Sequence, residues 1–135
     1  MRTLIDTSAL LALSNAKDQY HERAVGIADT HRAGGGTFMG TTSILSEFHA
    51  HLLYLRGASV ARTAVSRLLD DPLHEWLPVD ADLVRAATEN WLLRFDDQSF
   101  SLVDAVSFEV MRQVRISEAF AFDHHFEAAG FGLLR

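Results

Sequence analysis

Residues 101–134 read SLVDAVSFEVMRQVRISEAFAFDHHFEAAGFGLL, and this stretch decides the fold class. SLVDAVSFEVMRQV (101–114) has helical spacing, AFAF (119–122) is a short apolar strand, residues 124–128 form a short helix, and GFGLL (130–134) is a closing strand. The same alternation runs back to the N-terminus. TLID (3–6) predicts a buried strand ending at Asp6, with Thr7 or Ser8 placed to cap a helix through Leu13. A polar helix over residues 20–32 is broken by Gly34-Gly35-Gly36, and TFMG (37–40) is a second strand. In the helix over residues 41–55, Ile44, Leu45, Phe48, Leu52 and Leu55 fall on one arc. Gly57 ends it, VARTAVSRLLDD (60–71) predicts an amphipathic helix, HEWLPV (74–79) a third strand, residues 81–94 a helix and DDQSF (96–100) a loop. Short apolar strands alternating with helices argue for an α/β fold whose parallel sheet is covered on both faces. Such sheets bind ligands beyond the carboxyl ends of their strands.

Composition narrows the chemistry. The length of 135 residues suits one compact domain spanning 1–135, and 48% hydrophobic residues suffice for a core. With no cysteine, disulfides and thiolate metal sites are excluded, so any metal ligand is a carboxylate, histidine, carbonyl or water. Asp6 interrupts the only apolar stretch near the start, which is too short to span a bilayer and has no cleavage signature; a cytoplasmic location is the expectation. The net charge of −6 lacks the basic surplus usual in nucleic-acid binders. Carboxylates that coordinate metal account for some of that negative charge, and eleven arginines against the single Lys17 suit phosphate.

Four acids carry the functional argument. Asp6 ends the first strand and Asp123 the fourth, so parallel strands bring both to one sheet edge. Glu47 lies in the opening turns of the helix after the second strand, and Asp104 in the first turn of the helix beginning near Ser101. Asp104 shares its face with Phe108 and Met111, where an uncompensated carboxylate is costly. Each acid alone also fits a plain helix cap or a solvated position; their coincidence at one edge does not. Two such charges about 4 Å apart repel by roughly 4 kcal/mol at an effective dielectric near 20. The cluster must take up protons or hold cations, and an all-oxygen set suits Mg²⁺ or Mn²⁺.

In order and spacing, IDTSALLAL, TTSILSEF, SLVDAVSFEVMR and AFAFDHHFEAAGFGLL resemble the PIN domain, and within it the VapC-type toxins, from Leu4 to Leu134. The resemblance implies a three-layer α/β/α sandwich around a mainly parallel sheet of four to five strands. It implies a Mg²⁺- or Mn²⁺-dependent endoribonuclease acting on RNA, with Asp6, Glu47, Asp104 and Asp123 as catalytic and metal-holding residues. Ser8 matches a hydroxyl that supports the first aspartate, and Ser101 a polar residue one turn before the third acid. His124 and His125 are expected at the surface or as caps. The resemblance further implies a homodimer and a small antitoxin that inserts a basic side chain into the acidic pocket.

The rivals fare worse on residues. Haloacid-dehalogenase-like enzymes need an aspartate two residues after the nucleophile, where Ser8 stands; receiver domains need a late lysine; no Gly-Lys-Ser/Thr follows the glycine run. The remaining alternative is a degenerate PIN domain that binds RNA or protein without catalysis, although all four acids are present.

Overall fold

The computed structural model describes residues 1–135. β1 (Arg2–Ile5) leads into α1 (Thr7–Ser14) and α2 (His21–Ala33), then β2 (Thr37–Thr41), α3 (Thr42–Arg56), α4 (Ala58–Asp70) and β3 (His74–Leu77). After β3 come α5 (Ala81–Ala87) with a π-helical extension (Thr88–Leu93), α6 (Leu102–Val114), β4 (Glu118–Phe120), α7 (His125–Ala128) and β5 (Gly132–Leu133). The strands form one five-stranded sheet in the order β3-β2-β1-β4-β5, parallel at every pairing. No helix is long and apolar enough to cross a membrane.

Handedness explains the layers. Crossovers between parallel strands are right-handed, so steps in one direction along the sheet put their helices on one face. β1 to β2 to β3 moves one way and carries α1–α4; β3 to β4 to β5 moves back and carries α5–α7 to the other face. The contacts agree: α1 packs on α2 and α3, α3 on α4, and α6 on α5 and α7. The α/β/α sandwich with a parallel sheet is therefore present, with five strands. The sheet interior is sealed by Phe38, Phe48, Phe108, Phe120 and Phe126, all fully buried. At Gly40 the packing is too close for a side chain, since a Cβ there would lie 2.3 Å from the Trp76 ring.

Three expectations needed adjustment. Asp6 itself, not Thr7 or Ser8, is the N-cap of α1, because its carboxylate accepts from the Ser8 N–H. β4 ends at Phe120, so Asp123 stands in the loop before α7, where that loop leaves the sheet edge. The helix expected over residues 81–94 is α-helical only to Ala87. In the wider π turn, Asn90 and Trp91 both reach one buried acid on α6, Glu109.

Candidate active site

The strand order reverses between β1 and β4, which run parallel; this makes a topological switch point, and the chain leaving both strands opens a crevice there. The last β1–β4 bond, Asp6 N–H to the Phe120 carbonyl at 3.0 Å, sets Asp6 at the crevice floor. Its side chain is almost closed off, at 3% exposure. The Ser8 hydroxyl donates to Asp6 Oδ2 at 3.0 Å and accepts from the Phe122 N–H at 3.0 Å, joining the two strand ends. Ser8 thus bonds the first aspartate through both its hydroxyl and its N–H.

Asp104 enters from the opposite face. Ser101 caps α6 in a reciprocal box: its hydroxyl accepts from Asp104 N–H at 3.0 Å, while its own N–H donates to Asp104 Oδ2 at 3.1 Å. The role of Ser101 is thus to fix the first turn of α6. Asp123 Oδ1 accepts from the His125 N–H at 3.0 Å. His125, expected at the surface or as a cap, is half-exposed and also reaches an acid. Its Nδ1 lies 2.7 Å from Asp104 Oδ2, and its ring packs edge-on against Phe100 at 5.6 Å between centroids. His124 is exposed, as expected.

A shared pattern emerges from these bonds. One oxygen of each aspartate is held by neighbouring donors: Oδ2 of Asp6 by Ser8, Oδ2 of Asp104 by Ser101 and His125, Oδ1 of Asp123 by the backbone. The second oxygen of each has no protein partner. Burial raises the Asp6 carboxyl to about 8, Asp123 and Asp104 push it the same way, and the Ser8 bonds oppose them only in part. Ligating atoms of Asp104, Asp123 and His125 all come within 4.8 Å of one another. Asp6 adjoins this group, disfavoured as an anion first by burial and then by Asp123 and Asp104, and three carboxylates with one unpaired oxygen each suit a hard divalent cation.

Glu47 is placed differently. Thr41 caps α3 by accepting from the Ile44 N–H at 3.2 Å, and Glu47 follows on the second turn, half-buried. It lines an open groove of about 500 Å³ with Thr42, Ser43, Ser46, Val79 and Val103. Val103 precedes Asp104, so this groove reaches the crevice rim, but Glu47 is not one of the acids acting on Asp6. Three of the four acids are drawn together and Glu47 stays at the border.

Residues 3–132 match the PIN domain family. The chain belongs to that family. Among similar proteins, this PIN chain is 35% identical over 136 residues to the 23S rRNA-specific endonuclease VapC20 of Mycobacterium tuberculosis, covering 94% of this chain and 93% of that one. The crystal structure of VapC20, described as a sarcin–ricin loop cleaving toxin, superposes with a TM-score of 0.85 over 96% of this chain and 95% of that one. FitAcB from Neisseria gonorrhoeae shares the fold at TM-score 0.70 and 16% identity, over 100% and 97% of the two chains. VapBC2 from Rickettsia felis, bound to a DNA fragment, shares it at 0.69 and 11%, over 98% and 97%.

Two polar residues of this PIN fold escape a reading of the sequence. His125 carries a usable signal, its place two residues after Asp123, since that spacing lets one side chain turn back into the crevice that the other enters. Glu109 carries none: on α6 it looks like a solvated acid, yet it is fully buried.

Proposed function

We propose that this chain is a divalent-metal-dependent endoribonuclease that hydrolyses RNA phosphodiester bonds as the toxin of a toxin–antitoxin pair, with residues 1–135 forming one PIN domain. The observation that carries this reading is the convergence of Asp104 and Asp123 on the buried Asp6 at the switch point, in a chain 35% identical to an rRNA endonuclease. That relative makes 23S rRNA, and its sarcin–ricin loop first, the RNA to test. A cytoplasmic homodimer, restrained by a small antitoxin that places a basic side chain among the acids, completes the reading.

Asp6, Asp104 and Asp123 would hold the cation, Mg²⁺ or Mn²⁺. When bound, it supplies Lewis-acid activation of water and offsets charge at the scissile phosphate. Glu47 completes the donor set or accepts the water proton as base. The water oxygen bonds to phosphorus as the P–O3′ bond breaks, and a proton passes to O3′, leaving a 5′-phosphate and a 3′-hydroxyl. Ser8 and Ser101 keep two of the carboxylates in place. Of the arginines suited by charge to guide the backbone (Arg56, Arg62, Arg67 and Arg112), two are engaged elsewhere, Arg56 with Asn15 at 3.1 Å and Arg112 with Glu109.

The test is RNA cleavage with Mn²⁺, with mapping of the new 5′ ends. Asp104→Asn should lose at least about 10³-fold in kcat, as expected for a group acting in a catalytic unit; full activity in this variant removes the metal mechanism. Mn²⁺ should also raise Tm, since a ligand at 100 times its Kd stabilises by about 2.7 kcal/mol. A catalysis-free binding module need show neither effect.

His125 gives a separate expectation. By donating to Asp104 Oδ2 it keeps the other oxygen available, so His125→Ala should weaken Mn²⁺ binding about 10- to 100-fold. His125→Asn, whose amide nitrogen falls near the position of Nδ1, should recover much of that loss. Mn²⁺ titration followed by thermal shift reads both variants, and unchanged affinity in His125→Ala rejects the role.

A further inference from the structure

Beside the acids lies a second cavity, of about 250 Å³, whose lining includes Tyr20, Arg23, Phe122, Asp123, Glu127 and Arg135. Tyr20 and Phe122 stack face to face, 4.7 Å between centroids and 4° from parallel, and the Arg23 guanidinium sits 5.7 Å from the Phe122 centroid. Tyr20 is 36% exposed although Phe122 covers one of its faces. A stacked aromatic pair with a guanidinium beside it, left open to solvent, is unusual in a chain that buries five other phenylalanines fully.

The platform is also indexed to the acids. Phe122 immediately precedes Asp123, and its N–H is held by the same Ser8 hydroxyl that donates to Asp6. The turn that carries Tyr20 is fastened by its N–H to Asp18 Oδ1 at 2.8 Å and by His21 Nδ1 to the Ala12 carbonyl at 2.7 Å. A group resting on this platform therefore has a set position relative to the crevice. The cavity is smaller than the roughly 300–1,000 Å³ of pockets for drug-sized ligands. Its planar aromatic wall suits one flat ring and Arg23 suits a flanking phosphate, while Arg135 is paired with Glu127 at 3.7 Å.

We propose that Tyr20, stacked on Phe122 and flanked by Arg23, is a nucleobase-stacking subsite that holds an unpaired base of the RNA next to the bond being cut. This rests on the nuclease reading above and adds to it where the substrate is gripped. It also answers the charge objection: stacking is sequence-tolerant and needs no basic surplus, so a chain of net charge −6 can hold RNA through π-faces and a few local arginines.

The experiment uses a sarcin–ricin stem-loop RNA, cleaved with Mn²⁺ by wild type, Tyr20→Leu, Tyr20→Phe and Arg23→Ala. A second series measures quenching of 2-aminopurine-labelled RNA on the Asp104→Asn background. Losing a base stack costs about 1–3 kcal/mol, so Tyr20→Leu should raise KM about 5- to 100-fold with kcat little changed and should abolish quenching. Tyr20→Phe should restore both, and Arg23→Ala should raise KM less. Tyr54→Leu, at a more exposed tyrosine near the far end of α3 and outside the site, is the control and should leave KM alone. Wild-type cleavage with the KM of Tyr20→Leu unchanged, or a Tyr20→Leu defect that Tyr20→Phe does not relieve, overturns the subsite and spares the nuclease reading. Wild type that neither cuts nor binds the RNA overturns both. Melting curves separate a misfolded Tyr20→Leu from a binding defect, and Arg23→Ala, on an exposed side chain, tests the same cavity without disturbing packing.

Discussion

In EDTA near neutral pH, Asp6→Asn should melt higher than wild type while losing RNA cleavage and the stabilisation by Mn²⁺. Asp6 is buried among two further carboxylates, and its pKa stands at about 8 against an ordinary value of 3.8. A group whose folded pKa is raised contributes its full stability below the unfolded value and loses it as pH rises through the folded one. Metal-free wild type should therefore weaken steadily between about pH 4 and pH 8. Asn keeps the shape and the cap but carries no charge, so its stability should be flat across that window from this position. A shift of this size is worth on the order of 2–4 kcal/mol at neutral pH, and a Tm higher by roughly 5–15 °C follows for a chain of this length. With Mn²⁺ the order should reverse, because a cation stabilises only the form that has the carboxylate. The measurement is thermal melting against pH, with and without metal. A metal-free Asp6→Asn that melts at or below wild type would mean that Asp6 is not destabilised in the fold.

Glu109→Ala should do the opposite, lowering stability by about 2–4 kcal/mol at every pH above 5. Its side chain is fully buried, yet burial, which alone would raise its pKa, is outweighed by four side-chain donors that bring it to about 2. They are Arg112 through two nitrogens (3.1 and 2.5 Å), Asn90 at 3.0 Å, Gln113 at 2.8 Å and the buried indole N–H of Trp91 at 3.1 Å. Truncation leaves the Trp91 donor in an apolar setting without a partner; Arg112, half-exposed, can return to water. It also unfastens the π-helical extension from α6, which holds Asp104. Glu109→Gln, still able to accept from some of these donors, should cost less, about 1–2 kcal/mol. Because this pKa is depressed, its stabilisation is complete above the ordinary carboxylate value and fades as pH falls towards 2. Denaturant melts in EDTA check both variants, and a cost under 1 kcal/mol for Glu109→Ala would sink the argument. The same kind of substitution, acid to amide, thus has opposite signs at Asp6 and Glu109. One acid faces other acids, and the other faces donors.

Much of the site was legible because its parts lie at element boundaries. Asp6 and Asp104 occur where a strand ends or a helix begins, and such positions show as apolar runs meeting a capping residue. Ser8 and Ser101 entered as supporting residues only through the family resemblance, and the cap of α1 passed to Asp6. Glu47 was placed on the right helix, but the border of an apolar arc does not say how far its carboxylate lies from the others. His125 and Tyr20 were missed because both act through partners distant in sequence, Asp104 and Phe122. The spacing of His125 from Asp123 hints at the crevice, but no local pattern names Asp104 or Phe122 as the partner.

By itself, the order of apolar strands, helices and turn residues determined an α/β chain with a parallel sheet, and the strand ends determined the edge where its acids gather. Periodicity and capping are local, so they survive in one dimension. Tertiary structure alone decided which oxygen of each aspartate stays unpaired, that Glu47 keeps to the rim, that Glu109 is buried among donors, and that Tyr20 lies open on Phe122. Those outcomes depend on the distance and orientation between residues from 19 apart, as for Asn90 and Glu109, to 114 apart, as for Ser8 and Phe122, which only packing around the sheet sets.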